Sequence, residues 1–315
     1  MSRSRTQPRR TLLTLMLAPV LCGALVAGLV SAAWLALGSP VPARAAVWMQ
    51  IVKTGEARDS GAPDQPFFVL ALGTGARSDN PADSPDDPGL SDAIHVIAVN
   101  PALGAATILD IPRDTEGPGG SKLNSYIVSS GSENLRAAAN AVSSVVGVQL
   151  PMVIRVNFPH FQDMVDAIGG IDITIPTAMD DDFSGAHFSP GPTHLNGEQA
   201  LAFSRDRHSF ANGDLSRSNN QGLLILAALS TLRAKNPSAG DAVRLVALVG
   251  RHVKLDGVGI SDLFHMGQLG LALDPTNIKN VTLPVGAAGG SNLAPTADAK
   301  SLLADFVDDG VLESH

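Results

Sequence analysis

From Phe67 to about residue 307, segments with strand character alternate with segments of helical spacing, and this limits the possible folds more than any other feature of the chain. Phe67–Leu72 (FFVLAL) is an unbroken apolar run ending at glycine, the pattern of a buried strand; strands at Ala93–Val99 (AIHVIAV) and Ala106–Ile111 (ATILDI) follow it. Helical spacing follows over 133–146, a strand at Met152–Val156, a short helix over 159–167 and a strand at Ile171–Ile175. Further helices are predicted over 197–203, 215–235, 239–250, 260–272 and 296–307, with a late strand over 280–284. Such alternation places helices against a sheet, so the expected class is a layered α/β domain. At 44% apolar and 17% charged residues, the chain has enough apolar side chains for a sizeable core, which excludes wholesale disorder.

Charge is placed unevenly. Five of the 22 basic residues (Arg3, Arg5, Arg9, Arg10, Arg44) and none of the 30 acidic ones lie in residues 1–45, which leaves residues 46–315 at a net −13. A body this acidic repels phosphate backbones, so nucleic acid is not an expected partner. Between Thr11 and Ala43 there is no charged side chain. At about 1.5 Å per residue, Leu12–Leu37 alone exceeds the roughly 30 Å of bilayer hydrocarbon. A single transmembrane anchor over residues 11–38 is the preferred reading; Ala43-Arg44-Ala45, a small-x-small cleavage pattern, leaves a cleaved signal as the alternative. Both readings put the body outside the cytoplasm; the preferred one keeps the arginine-rich end inside and gives a single-pass protein of the cell membrane. The expected organisation is a basic cytoplasmic tail (1–10), the anchor (11–38), a linker (39–66), the domain (67–307) and a short tail (308–315).

The one cysteine, Cys22, falls in the apolar leader, so disulfide frameworks, cysteine-ligated zinc, CxxC redox chemistry and a cysteine nucleophile are excluded. No Gly-x-Ser-x-Gly elbow or HExxH is present. Leu72-Gly-Thr-Gly-Ala-Arg77 turns at a strand's C-terminal end, but Ser78 stands where a dinucleotide fingerprint needs its third glycine. Asp92, at the start of the next strand, suits either a cap or a ligand for a hard cation. Ile111-Pro-Arg113-Asp114 closes another strand; Pro112 stops the ladder, and Arg113 can pair with Asp114 or face an anion.

The densest block runs from Ala200 to Gln221. Arg205 and Arg207 are two apart and share a direction on extended chain. Asp214 is placed to cap the next helix, and Arg217, Asn220 and Gln221 at spacings of 0, +3 and +4 share one face of its first turns. Three guanidiniums at a helix N-terminus form a strong anion site, and the arginine fork suits phosphate oxygens better than lysine does. Two weaker groups are Asp180-Asp181-Asp182, a calcium ligand set or a solvated acidic loop, and the histidines His187, His194 and His208, whose spacing matches no trusted metal pattern.

In this order the LGTGAR turn, SDAI, IPRD, KLN, VNFPHFQDMVDAIGGIDI, GEQALAFSRDRHS and GDLSRSNNQ resemble the LytR-CpsA-Psr family of cell-wall polymer ligases, over roughly residues 67–307. The resemblance implies a single α/β/α domain with a central mixed sheet and a groove for a polyprenyl-phosphate tail. It also implies transfer of a lipid-diphosphate-linked anionic glycopolymer to a peptidoglycan hydroxyl, forming a phosphodiester. Carried over by motif, Arg113, Arg205, Arg207, Arg217 and Gln221 bind the diphosphate, Asp92 coordinates magnesium, and Asp92, Arg113, Arg205 and Arg207 form the catalytic set. Residues 223–232 and 153–175 are either groove or ordinary core. Two positions depart from the family pattern: Gly75 replaces a usual aspartate, the second magnesium ligand, and Asn220 a common arginine. Asp79 is a candidate substitute ligand, and Asp92 and Asp214 are both candidate general bases. Gly75 admits one alternative, a non-catalytic polyprenyl-phosphate binder; a second is a pyrophosphatase, since water can replace the acceptor hydroxyl.

Overall fold

The computed structural model describes residues 49–55, 65–75, 90–126, 132–234, 253–259 and 273–313, all within one compact unit. The expected anchor, the helices over 239–250 and 260–272, and Asp79 lie outside the described residues. Among the described residues, no helix is long and apolar enough to cross a membrane.

Seven strands form one sheet in the order β10-β1-β5-β2-β3-β4-β11. They are β1 (Met49–Lys53), β2 (Phe67–Thr74), β3 (Ser91–Asn100), β4 (Ala105–Asp110), β5 (Met152–Asn157), β10 (Val253–Asp256) and β11 (Ile278–Thr282). The sheet is mixed: β2-β3-β4 is an antiparallel meander, while β5 runs parallel to β2 and β11 parallel to β4. One boundary is corrected. The linker expected over 39–66 contains β1, which pairs antiparallel with β5 and parallel with β10.

Alternate residues of each strand serve opposite layers, as the two-residue period of a strand requires. Leu70, Leu72, Ile94, Val96, Leu109 and Ile111 pack on one face against helix α1 (Ser132–Val146) through Leu135, Ala138 and Val142, and against α5 (Ala297–Asp309) through Phe306. Phe67, Ile97, Val99, Ala106 and Ile108 face the other way, towards Ile225, Leu226 and Leu229 of α4 (Gly213–Ala234). The resulting arrangement is α/β/α, and each fully buried Leu or Ile contributes roughly 1.5–3 kcal/mol of transfer free energy.

A second core joins α2 (Phe158–Ala167), α3 (Gly197–Arg205) and α4 to two ribbons, β6 (Ile171–Ile175) with β9 (Gly191–Leu195) and β7 (Met179–Asp181) with β8 (Ala186–Phe188). A third ribbon joins β12 (Val285–Gly289) to β13 (Asn292–Pro295). Helix α3 starts at a reciprocal capping box: Asn196 accepts from the Gln199 N–H at 2.9 Å, and Gln199 accepts from the Asn196 N–H at 3.0 Å. The helices α2 and α3 meet so closely at Gly197 that a Cβ there would lie 2.3 Å from the Gln162 carbonyl oxygen. The Gly197 N–H donates to Asp166 Oδ1 at 2.7 Å, fixing the helix that ends at Arg205.

Candidate functional site

The site forms where the sheet's β3 and β4 ends meet the α3–α4 connection. On the sheet side, the backbone past Pro112 turns back, with the Thr115 N–H donating to the Pro112 carbonyl at 3.0 Å and the Asn124 N–H to the Arg113 carbonyl at 3.1 Å. Arg113 therefore points back to β3 and pairs with Asp92. The pairing of Arg113 with Asp114 does not form; Asp114 takes Lys122 instead, at 2.9 Å. Burial opposes the Arg113 charge, but Asp92, Asp214 and Asp114 outweigh it and raise its pKa. Asp92 Oδ2 has no hydrogen-bond donor among the described residues.

On the helix side, α3 ends at Arg205 and the chain continues extended through Asp206 to Arg207. Asp214 lies inside the first turn of α4 and is not its cap: its Oδ1 faces Arg217 at 3.1 Å and Arg207 at 3.9 Å. The polar face read from the sequence is buried, since Arg217, Ser218, Asn220 and Gln221 are all at most 6% exposed. Burial lowers the Arg217 pKa and the charges of Arg113 and Arg207 lower it further, against Asp214. Its Nε has no hydrogen-bond partner among the described residues, nor has Asn220 Nδ2. A buried guanidinium crowded by two other cations, with its Nε left unpartnered, is prepared for an anion. Gln221 joins the two sides: its Nε2 donates to the Ser204 carbonyl at 3.1 Å and approaches the Asp92 carbonyl at 3.5 Å.

Beneath the junction lies a buried polar network. His95 Nδ1 and Asp110 Oδ1 are 2.8 Å apart, facing each other across β3 and β4. Burial raises the Asp110 carboxyl pKa; His95, Asn280 and Thr282 oppose this. Helix α4 packs directly on this network because residue 222 is glycine: a Cβ there would lie 1.9 Å from Asn280 Oδ1 and 2.4 Å from Asp110 Oδ1.

Asp92, Arg113, Arg205, Arg207, Arg217 and Gln221 all line one cavity of about 250 Å³. The sequence-predicted set is thus brought together. Four further lining residues lie outside that set: Asp181, Phe183, Ser184 and His208. Asp181, the middle aspartate of the acidic triplet, is turned inward by the alternation of β7, while Asp180 and Asp182 face solvent; a three-residue strand is too short to show that alternation in the sequence. The three histidines are not gathered. His187 pairs with Asp180, His194 with Asp172 and His208 with Asp181, and no group of three or more potential metal ligands occurs among the described residues. Gly75 donates its N–H to the Leu90 carbonyl at 3.3 Å, so the position of the usual second carboxylate is close in the ladder to Asp92. Arg113 also lines a second hollow, of about 520 Å³, with Lys122, Asn124 and Ser125.

The LytR_cpsA_psr family model matches residues 46–301. A Bacillus cereus protein named polyisoprenyl-teichoic acid–peptidoglycan teichoic acid transferase TagU is 35% identical over 161 residues, half of each chain. The chain thus spans about half the length of the curated relatives it matches. Among solved structures, a LytR-Csp2A-Psr enzyme from Actinomyces oris superposes with a TM-score of 0.61 at 22% identity, over 84% of this chain and 96% of its own. A structure described as TagT bound to LI-WTA gives 0.58 at 19%, over 81% and 94%. At these identities the structures establish the fold. With the family model spanning most of its length, the chain belongs to the LytR-CpsA-Psr family.

Proposed function

We propose that this chain is an extracytoplasmic phosphotransferase that moves an anionic glycopolymer from a polyprenyl-diphosphate carrier to a peptidoglycan hydroxyl. One observation carries the reading: in a body of strongly negative charge, four arginines from three segments converge on a single cavity. The names of the TagU relatives support the substrate class. The arginine-flanked uncharged stretch Thr11–Ala43 supports anchoring in the cell membrane.

Phosphoryl transfer asks a protein mainly to position reactants and to neutralise charge on the transferring group. Arg217, from within the protein, and Arg205 and Arg207, from the connection, surround the diphosphate and stabilise the charge that builds on the leaving prenyl phosphate. Arg113 holds the opposite side and, through the second hollow, the start of the glycan. Magnesium fits the donor set: it takes one or two carboxylates together with substrate phosphates, and Asp92 Oδ2 offers such a ligand. The bound ion would add charge neutralisation at the phosphates. Gly75 favours a second reading, a polyprenyl-phosphate binder without transfer, because it leaves Asp92 as the only ligand read from the motifs.

The full chain, given a polyprenyl-diphosphate-linked glycopolymer and peptidoglycan, is expected to release prenyl monophosphate and join the polymer by a phosphodiester. Arg207→Ala is expected to stop transfer in a folded protein. Unchanged turnover of that variant would contradict the transferase reading. A wild type that binds the carrier and transfers only after Gly75→Asp would establish the binder.

A further inference from the structure

The attacking hydroxyl must lose a proton, and neither carboxylate named from the motifs is well placed to take it. Asp92 is paired with Arg113 through Oδ1, and its Oδ2 is the ligand proposed for magnesium. Asp214 is held between Arg217 and Arg207 and does not line the cavity. His208 does line it, and its ring is fixed from behind. Nδ1 lies 3.0 Å from both carboxylate oxygens of Asp181, whose side chain is 1% exposed. Asp181 also accepts from the Phe183 N–H at 2.9 Å and the Arg207 N–H at 3.4 Å. These bonds outweigh burial and keep Asp181 ionised, while burial and the charge of Asp181 push the neighbouring Asp206 carboxyl up. An ionised Asp181 accepts, so Nδ1 donates and the neutral ring carries its lone pair on Nε2. The Phe183 ring, its centroid 4.9 Å from that of the imidazole, covers one face. Nε2 has no hydrogen-bond partner among the described residues.

We propose that His208 is the general base of the transfer and that Asp181 is its positioning residue. The inference rests on the transferase reading. The acceptor hydroxyl oxygen forms a bond to the phosphorus that bears the glycan, and its proton passes to His208 Nε2. The bond from that phosphorus to the bridging oxygen breaks, and its electron pair leaves with the prenyl monophosphate beside the arginines. The imidazolium then releases its proton to solvent or to the leaving phosphate. The charged groups around the ring are Asp181 from β7 with Asp206 behind it, Arg205 and Arg207 on its own segment, and Asp92, Arg113 and Arg217 across the cavity.

The test is His208→Gln in the full chain, with three readouts: transfer rate, binding of polyprenyl diphosphate by native mass spectrometry, and imidazole ¹⁵N shifts of the wild type assigned by difference. A lost general base is expected to lower the transfer rate by about 10²–10⁴-fold. Carrier binding is expected to stay within about twofold, the rise of wild-type rate with pH that a base gives to vanish from the variant's profile, and the neutral ring to be protonated on Nδ1. A variant that keeps its rate, a carrier affinity that falls as far as the rate, or a ring protonated on Nε2 would overturn the base assignment alone. A wild type that fails to bind the carrier would overturn the transferase reading first and the base with it.

Discussion

The two sides of the cavity hold their arginines differently. At the ends of β3 and β4, Arg113 is matched by Asp92, and next to it Lys122 by Asp114. On the helix side, Arg217 and Arg207 share the single carboxylate of Asp214, and Arg217 sits almost fully buried with an unpartnered Nε. Near the surface, where water screens charge, such an imbalance costs little; inside the protein it is expensive. Under the proposed function, an arriving diphosphate would gain most where guanidiniums are underneutralised, and the sheet side would mainly set its position.

The largest expected effect follows from that imbalance. Arg217→Met should weaken polyprenyl-diphosphate binding by about 100-fold or more, because charge-assisted hydrogen bonds contribute roughly 1.5–3 kcal/mol each. Its melting temperature should not fall, since the substitution removes a poorly compensated buried charge. A parallel loss of binding and melting temperature would make Arg217 a structural residue. Arg207→Ala, at a side chain 45% exposed, should weaken binding by only about tenfold and leave stability within about 0.5 kcal/mol, read by titration and thermal melting.

The sheet side should respond in the opposite direction. Asp92→Asn frees Arg113, so binding without magnesium should tighten by a few fold, and any strengthening by magnesium should disappear. Binding that weakens instead would mean that the Asp92–Arg113 pair must stay intact to receive the ligand. Gly75→Asp should give the smallest change in affinity, about two- to threefold, visible only with magnesium present. Calorimetric titrations with and without the ion distinguish the two.

Acid stability gives a further contrast. Asp181 is depressed in the folded protein, so its stabilisation is fully present above the ordinary carboxyl value of about 4 and is lost as the pH falls through the folded value. Thermal melting from pH 6 downward should therefore fall less steeply in Asp181→Asn than in the wild type. Equal slopes would remove Asp181 from the account.

Much of this was legible along the chain, for reasons particular residues make plain. Phe67–Leu72 and Ala93–Val99 are apolar on both faces because helices cover both sides of the sheet, and such runs are visible in any window. The arginine block stood out because cations are scarce in the body around it. β1 was missed because MQIVK is five residues beside a polar stretch, and its strand state comes from pairing with β5 about a hundred residues away. β7 and β8 have three residues each, too few to show a period. The Asp92–Arg113, Asp181–His208 and His95–Asp110 pairs depend on folding partners 15 to 27 residues apart, which local spacing does not reveal.

The most direct test of the central claim is native mass spectrometry of the full chain in detergent with a polyprenyl diphosphate, wild type beside Arg217→Met. The account predicts one carrier bound per wild-type chain and almost none on the variant. Equal occupancy of the two proteins, or no binding by a folded wild type, would contradict it.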